Sequence, residues 1–227
     1  MKKFILLLMV LILSLPSFAA TRFYLPSAGA PEITPAYDAT WNYTTDADRV
    51  RLARFKTNSA MNDTKATAGS GVDSTSALNR QYISDPIAPQ TITGTVQGQV
   101  RGLEGGVNDN RVSAVLIRVV SNDGTVVRGT LLNLTYPALT AANEYTLTME
   151  NRYTPVSTAV NSVTAQSGDR IVIEIGAFIY KKNGNSTQGF GDSAVADLPI
   201  DQTTVTQSNP WIEFSQDIMF PGVTVIE

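Results

Sequence analysis

The sequence predicts an all-β protein, a single antiparallel β-sandwich with jelly-roll-like organisation. Three observations predict it. At least eight stretches alternate apolar and polar residues with a period of two and are rich in Val, Ile, Thr and aromatics, the pattern of strands. Turn signals such as Asn122-Asp123-Gly124 and Ser167-Gly168-Asp169 separate them. No segment carries the repeat of a long amphipathic helix, and no linker, internal repeat or coiled-coil pattern divides the chain.

The organising strand lies between Gln166 and Lys182. Ile171, Ile173, Ile175, Ala177 and Ile179 point one way, and Val172, Glu174, Gly176, Phe178 and Tyr180 the other. The first face is wholly aliphatic and belongs against the core. The second carries a carboxylate, a glycine and two aromatics, so it is expected to be partly covered.

The chain opens with a different pattern. Lys2-Lys3, an apolar run from Phe4 to Leu15 and the small residues of Ser17-Phe18-Ala19 read as a secretory signal peptide over residues 1–20. The run is short for a membrane span, and nothing later reaches transmembrane length. Residues 21–227 then form the sandwich domain, with a secreted, cell-surface or virion-surface location.

Composition narrows the chemistry. Lys and Arg total 17 against 20 Asp and Glu, a net charge of −3, and the pI is about 5.0. That balance weighs against nucleic acid and anionic membranes as partners. There is no cysteine, so no disulfide supports the fold. There is no histidine, which rules out Ser-His-Asp and Cys-His catalysis and zinc sites of the usual His/Cys type. Carboxylate chemistry, Ser-Lys chemistry and oxygen-ligated metals remain. No resident cofactor is expected, and calcium is the metal that such oxygen ligands would take.

Taken in order, Thr21 to Leu25 is a short strand ended by Pro26, and Ser27 to Pro35 is an extended arm. Ala36 to Tyr43 is strand-like, with Tyr37 and Trp41 on one side. Arg49 to Lys56 fits a strand or one helical turn. Asn58 to Ser76 reads as a polar loop or irregular edge hairpin, and Leu78 to Ile83 as a strand. Gln90 to Arg101 reads as one strand, with Ile92, Gly94, Val96, Gly98 and Val100 inward and Thr, Gln and Arg facing water. Its two glycines are expected to admit Trp211 or Phe178, or to mark a bend. Val112 to Ser121 is apolar on both faces and therefore central. Thr125 to Leu134 is its hairpin partner across Asn122-Asp123-Gly124. Glu144 to Glu150 alternates with Tyr145, Leu147 and Met149 inward, followed by a loop over Asn151 to Asn161. Thr187 to Val195 is a glycine-broken strand. Pro210 to Phe220 closes the fold with Ile212, Phe214, Ile218 and Phe220 on one face.

Several segments together carry a family resemblance. They are Arg22-Phe23-Tyr24-Leu25-Pro26, Pro35-Ala36-Tyr37-Asp38-Ala39, Asp85-Pro86-Ile87 leading into Thr91-Ile92-Thr93-Gly94, Gly168-Asp169-Arg170-Ile171-Val172-Ile173-Glu174, Phe190-Gly191-Asp192 with Asp197-Leu198-Pro199, and Pro210-Trp211-Ile212-Glu213-Phe214. Their order resembles a family of uncharacterised β-sandwich proteins of tailed phages and viral metagenomes. The resemblance implies a virion structural or decoration role and carries over no catalytic residue. The secretory leader places the same domain on a bacterial surface or in the medium.

Three kinds of site are on offer. Glu174, Asp192, Asp197 and Glu213 are the carboxylates for glycoside hydrolysis, which needs a pair about 5–10 Å apart; their spacing selects no pair, and each also reads as a strand-end hydrogen-bonding group. Calcium would take Asp192, Asp197 and Asp201 in one loop, or Glu104 and Asp109 with Asn108 and Asn110 in another. Ordinary Asx turns explain the same residues. Sugar stacking would use Trp41, Tyr43, Tyr153, Tyr180 or Trp211. Tyr180 leads because its strand runs there into the polar Lys181-Lys182-Asn183 loop; the others read equally as core or rim.

The leading expectation is a non-enzymatic extracellular or virion-type structural or adhesion module. A lectin-like carbohydrate-binding module is the alternative, and a carboxylate-based glycosidase the third reading. Aromatics gathered on one exposed face would favour carbohydrate. Self-assembly would use the end segments Thr21–Leu25 and Val223–Glu227 as added edge strands.

Overall fold

The computed structural model describes residues 20–45, 47–60, 63–67, 73–193 and 209–222. Its strands are β1 (Thr21–Tyr24), β2 (Asp48–Arg51), β3 (Asp63–Thr67), β4 (Thr75–Ile83), β5 (Gln90–Ile92), β6 (Thr95–Leu103), β7 (Asn110–Val120), β8 (Val127–Thr135), β9 (Glu150–Tyr153), β10 (Thr158–Ala159), β11 (Val163–Ala165), β12 (Arg170–Lys181), β13 (Ser186–Phe190) and β14 (Trp211–Phe214). No helix occurs among the described residues. One sheet has the order β1-β14-β6-β13-β3, with β9 and β10 also on β6. The other has the order β2-β4-β12-β7-β8, and β5 pairs with β11 separately. The fold is the expected all-β sandwich. Among the described strands, each pairing is antiparallel except that of β2 with β4.

The largest apolar cluster joins the two sheets. Ile171, Ile173 and Ile175 of β12 meet Val96 and Val100 of β6, Phe190 of β13, and Ile212 and Phe214 of β14. Phe23 of β1 packs edge-on against Phe214, ring centroids 6.0 Å apart. Alternation therefore does what the pattern predicts: the aliphatic face of β12 is the inner wall. β1 is taken up by its own sheet, Arg22 opposite Glu213 and Phe23 opposite Ile212. The N-terminal segment named for strand addition is the edge strand of this sheet, paired on one side with β14; Val223–Glu227 lies outside the described residues.

The outer face of the second sheet is also covered, which explains why β7 and β12 are apolar on both sides. Trp41, Leu78, Ala114 and Leu116 form a second cluster with Tyr37, Leu134 and Phe178. Ile33 of the arm closes a third over Ile83, Val120 and Val172. The arm and the following segment run across this face. Ala36 to Tyr43 is therefore not a strand, and only Tyr43 bridges to Ala77.

Other expectations need correction. The stretch from Gln90 to Arg101 is two strands, because Gly94 turns the chain with a φ of 90°. Gly98 admits Ile212 rather than an aromatic: a Cβ there would sit 2.3 Å from the Ile212 Cδ1. The polar face of β6 does not face water throughout, since Gln99 and Arg101 are buried. Glu144 to Thr148 is irregular, with Leu147 56% exposed, and pairing resumes only at β9. Tyr145 turns inward alone, its hydroxyl against Ser113 and the amide of Gln188. Strands β9 and β10 arise within a segment that reads as a loop, through pairing with β6, while β3, in the segment that reads as a polar loop or irregular edge hairpin, pairs with β13 at the edge of its sheet.

Candidate functional site

The expected site residues separate into buried groups satisfied inside the fold and a partly exposed aromatic group. Glu174 is wholly buried. Its carboxylate accepts hydrogen bonds from Arg118 at 2.7 Å, Gln81 at 2.8 Å, the Trp41 indole at 2.7 Å and the Asp38 amide at 3.2 Å. Trp41, 5% exposed, is therefore a clamp over the β12 outer face and not a sugar platform. Trp211 is 1% exposed, and the Arg22 guanidinium lies over its ring at 4.0 Å. The expectation that either tryptophan offers an open stacking face is corrected by this packing. Tyr43 is partly exposed and shares backbone hydrogen bonds with Ser76 and Leu78.

The carboxylates behave likewise. Asp192 is buried and accepts from the amide and hydroxyl groups of Thr57 and Ser59. Glu213 pairs with Arg22 at 2.9 Å. Asp109 pairs with Arg111 at 2.9 Å, both fully buried, and accepts the Asn183 amide. Glu104 is different. Its Oε2 is buried without a hydrogen bond. Burial, reinforced by the charges of Glu144 and Asp109, pushes its carboxyl up to about 7, against the pull of Arg111 and Arg152. Among the described residues no group of three or more acidic side chains is arranged to hold a metal. Asp197 and Asp201 lie outside the described residues.

Aromatics do gather on one face. Tyr136 stacks on Phe178 with centroids 3.9 Å apart and planes 10° from parallel. Tyr180 meets both rings edge-on, at 6.4 Å and 4.9 Å, and its hydroxyl donates to the Pro137 carbonyl at 3.2 Å. Burial raises the Tyr180 phenol above its usual range. The cause of the cluster is register. Phe178 and Tyr180 are two apart on β12, so they share a face, and the end of β8, one strand beyond β7, delivers Tyr136 onto it.

Beside this cluster lies a shallow groove of about 170 Å³, lined by Thr135, Tyr136 and Pro137 on one side and Tyr153, Pro155, Val156 and Thr158 on the other. Tyr136 is 37% exposed there. Tyr153 is fixed by a cross-strand row on the first sheet: its hydroxyl donates to Gln97, Gln97 donates to Glu213, and Arg22 donates to Glu213. The groove thus spans the seam between the sheets, with a tyrosine from each. Sequence reasoning found Tyr180 and Tyr153 but missed Tyr136. The available signal was an aromatic-proline pair directly after an apolar strand.

No family model matches the chain, and no curated protein matches it in sequence. Solved structures do match in shape. Two are of a CocE/NonD family hydrolase from Staphylococcus aureus. In one the TM-score is 0.50 at 8% identity, covering 88% of this chain and 37% of that chain. In the other it is 0.48 at 9% identity, covering 91% and 37%. A chain in the structure of infectious bursal disease virus, Gt strain, matches with a TM-score of 0.24 at 11% identity, over 70% of this chain and 38% of that one. This chain spans little more than a third of the length of the hydrolase chains. At such identity the likeness concerns the sandwich fold alone.

Proposed function

We propose that this chain is a non-enzymatic extracellular adhesion module that binds surface carbohydrate through the groove between Tyr136 and Tyr153. The observation that carries the reading is the aromatic group Tyr136, Phe178 and Tyr180 gathered beside a partly open groove. Sugar rings present C–H faces that pack on such rings, while their hydroxyls need polar neighbours. Thr135, Thr158 and the Tyr153 phenol line the groove and supply them.

The non-catalytic part of the reading is supported by the carboxylates. Glu174, Asp192 and Glu213 each hold internal donors or a cation, as groups that fix a scaffold do. The leader-like first residues support work outside the cytoplasm. A glycan array probed with the mature protein, with and without a chelator, tests the proposal. Binding to neutral glycans that survives chelation is expected. An array without a single bound glycan removes the reading, and binding that vanishes with the chelator moves the site to a calcium-dependent loop.

A further inference from the structure

We propose a second ligand site, distinct in its residues from the aromatic groove: the cleft between Pro26–Gly29 and Arg51–Thr57 takes the carboxylate or sulfate of an acidic saccharide on Arg54, with the sugar ring laid on Phe55. Naming a saccharide rests on the carbohydrate reading above; the demand for an anion does not.

The cleft is about 420 Å³ and is lined by Pro26, Gly29, Arg51, Arg54, Phe55 and Lys56, with Asp85 at its margin. Arg51, Arg54, Lys56 and Asp85 are the charged groups of its lining, on a chain whose net charge is negative. The carboxylate is already engaged, Asp85 with Arg51 at 2.8 Å. Arg54 has no ion pair or hydrogen bond with the described residues. Instead its guanidinium lies 3.8 Å over the Phe220 ring and 5.4 Å from that of Phe55. A ring accepts none of the guanidinium's N–H groups in a conventional hydrogen bond, so Arg54 keeps donors for a carboxylate or sulfate, which guanidinium groups grip with paired bonds. Phe55 is 74% exposed, an open ring beside that fork.

The loop is also held in place. On one side Ala53 and Tyr24 exchange backbone hydrogen bonds, and Leu52 donates to Ile83. On the other, the buried Asp192 clasps Thr57 and Ser59. Arg54-Phe55-Lys56 is therefore a short span between two anchors, which lowers the ordering cost of binding. This gives the Asp192 carboxylate a role: it positions the cationic loop.

The test is calorimetry at low salt with a carboxylated oligogalacturonate, a sulfated heparin oligosaccharide, a neutral dextran oligosaccharide and a poly-glutamate peptide. At least one acidic saccharide is expected to bind, with affinity falling as salt rises. Arg54→Gln and Phe55→Ser, both at exposed loop positions, should each weaken it about tenfold, while Tyr136→Ala leaves it unchanged. The response to the two saccharides separates carboxylate from sulfate. Absence of binding to either, indifference to both loop substitutions, or equal binding of poly-glutamate overturns the proposal. Loss of neutral-glycan binding in Tyr136→Ala with acidic binding intact bears on the groove alone, so the two sites stand or fall separately.

Discussion

The indole of Trp41 donates a hydrogen bond to the Glu174 carboxylate at 2.7 Å, across 133 positions of chain. The contact seals the outer face of the second sheet. Its acceptor is a buried anion balanced by Arg118, with Asp38 also 3.7 Å from that guanidinium. Removing Glu174 leaves the buried Arg118 guanidinium with only the partly exposed Asp38 at 3.7 Å, and loss of the buried partner of such a pair costs up to about 3–5 kcal/mol. Glu174→Gln is therefore expected to lower the unfolding free energy by about that much. Trp41→Phe, which keeps the charges paired, should cost clearly less. Chemical denaturation of both variants checks the order; equal losses would mean that ring packing and not charge pairing dominates the patch.

Ile173 and Val96 belong to the same core cluster, one from each sheet, and both are buried. Ile173→Ala should destabilise by about 2–5 kcal/mol, the range for a large-to-small change in a packed core. A loss under about half a kcal/mol, measured by urea unfolding, would displace β12 from its central position.

Much of this architecture was legible because alternation survives wherever one face is buried. β12 and the β7–β8 hairpin read directly from Ile171 to Tyr180 and from Asn122-Asp123-Gly124. What failed was the polar half. Gln99, Arg101 and Asn151 are buried although their composition reads as solvent-facing, because β9 pairs alongside β6 there. Tyr145 and Leu147 have the spacing of a strand face, yet one is buried and the other open. The candidate site was half legible. Tyr180 stood out by its place at a strand end, but the partnership with Tyr136 depends on sheet order, which no local pattern encodes.

Glu104 makes stability pH-dependent. Its folded carboxyl titrates near about 7, against a usual 4.5. The folded protein therefore keeps a proton that the unfolded chain releases, and this contribution falls as pH rises between those two values. Glu104→Gln should melt higher than the wild type above pH 7 and about equally below pH 4.5. A thermal melting series over pH 4–8 checks it, and a constant difference across the range would remove Glu104 as the cause.

Export is tested at the N-terminus. If Ser17-Phe18-Ala19 is a leader cleavage site, material recovered outside the cytoplasm should begin at Ala20 or Thr21 by N-terminal sequencing. An intact Met1 on that material would contradict a cleaved leader.

The central claim is that Tyr136 is the stacking floor of a carbohydrate site. Affinity electrophoresis through gels containing neutral polysaccharides measures it directly, with the wild type and Tyr136→Ala run side by side. The account predicts retardation of the wild type by at least one polysaccharide and a weakening of about tenfold in the variant, equivalent to about 1.4 kcal/mol. Equal migration of the two proteins in every gel would contradict it.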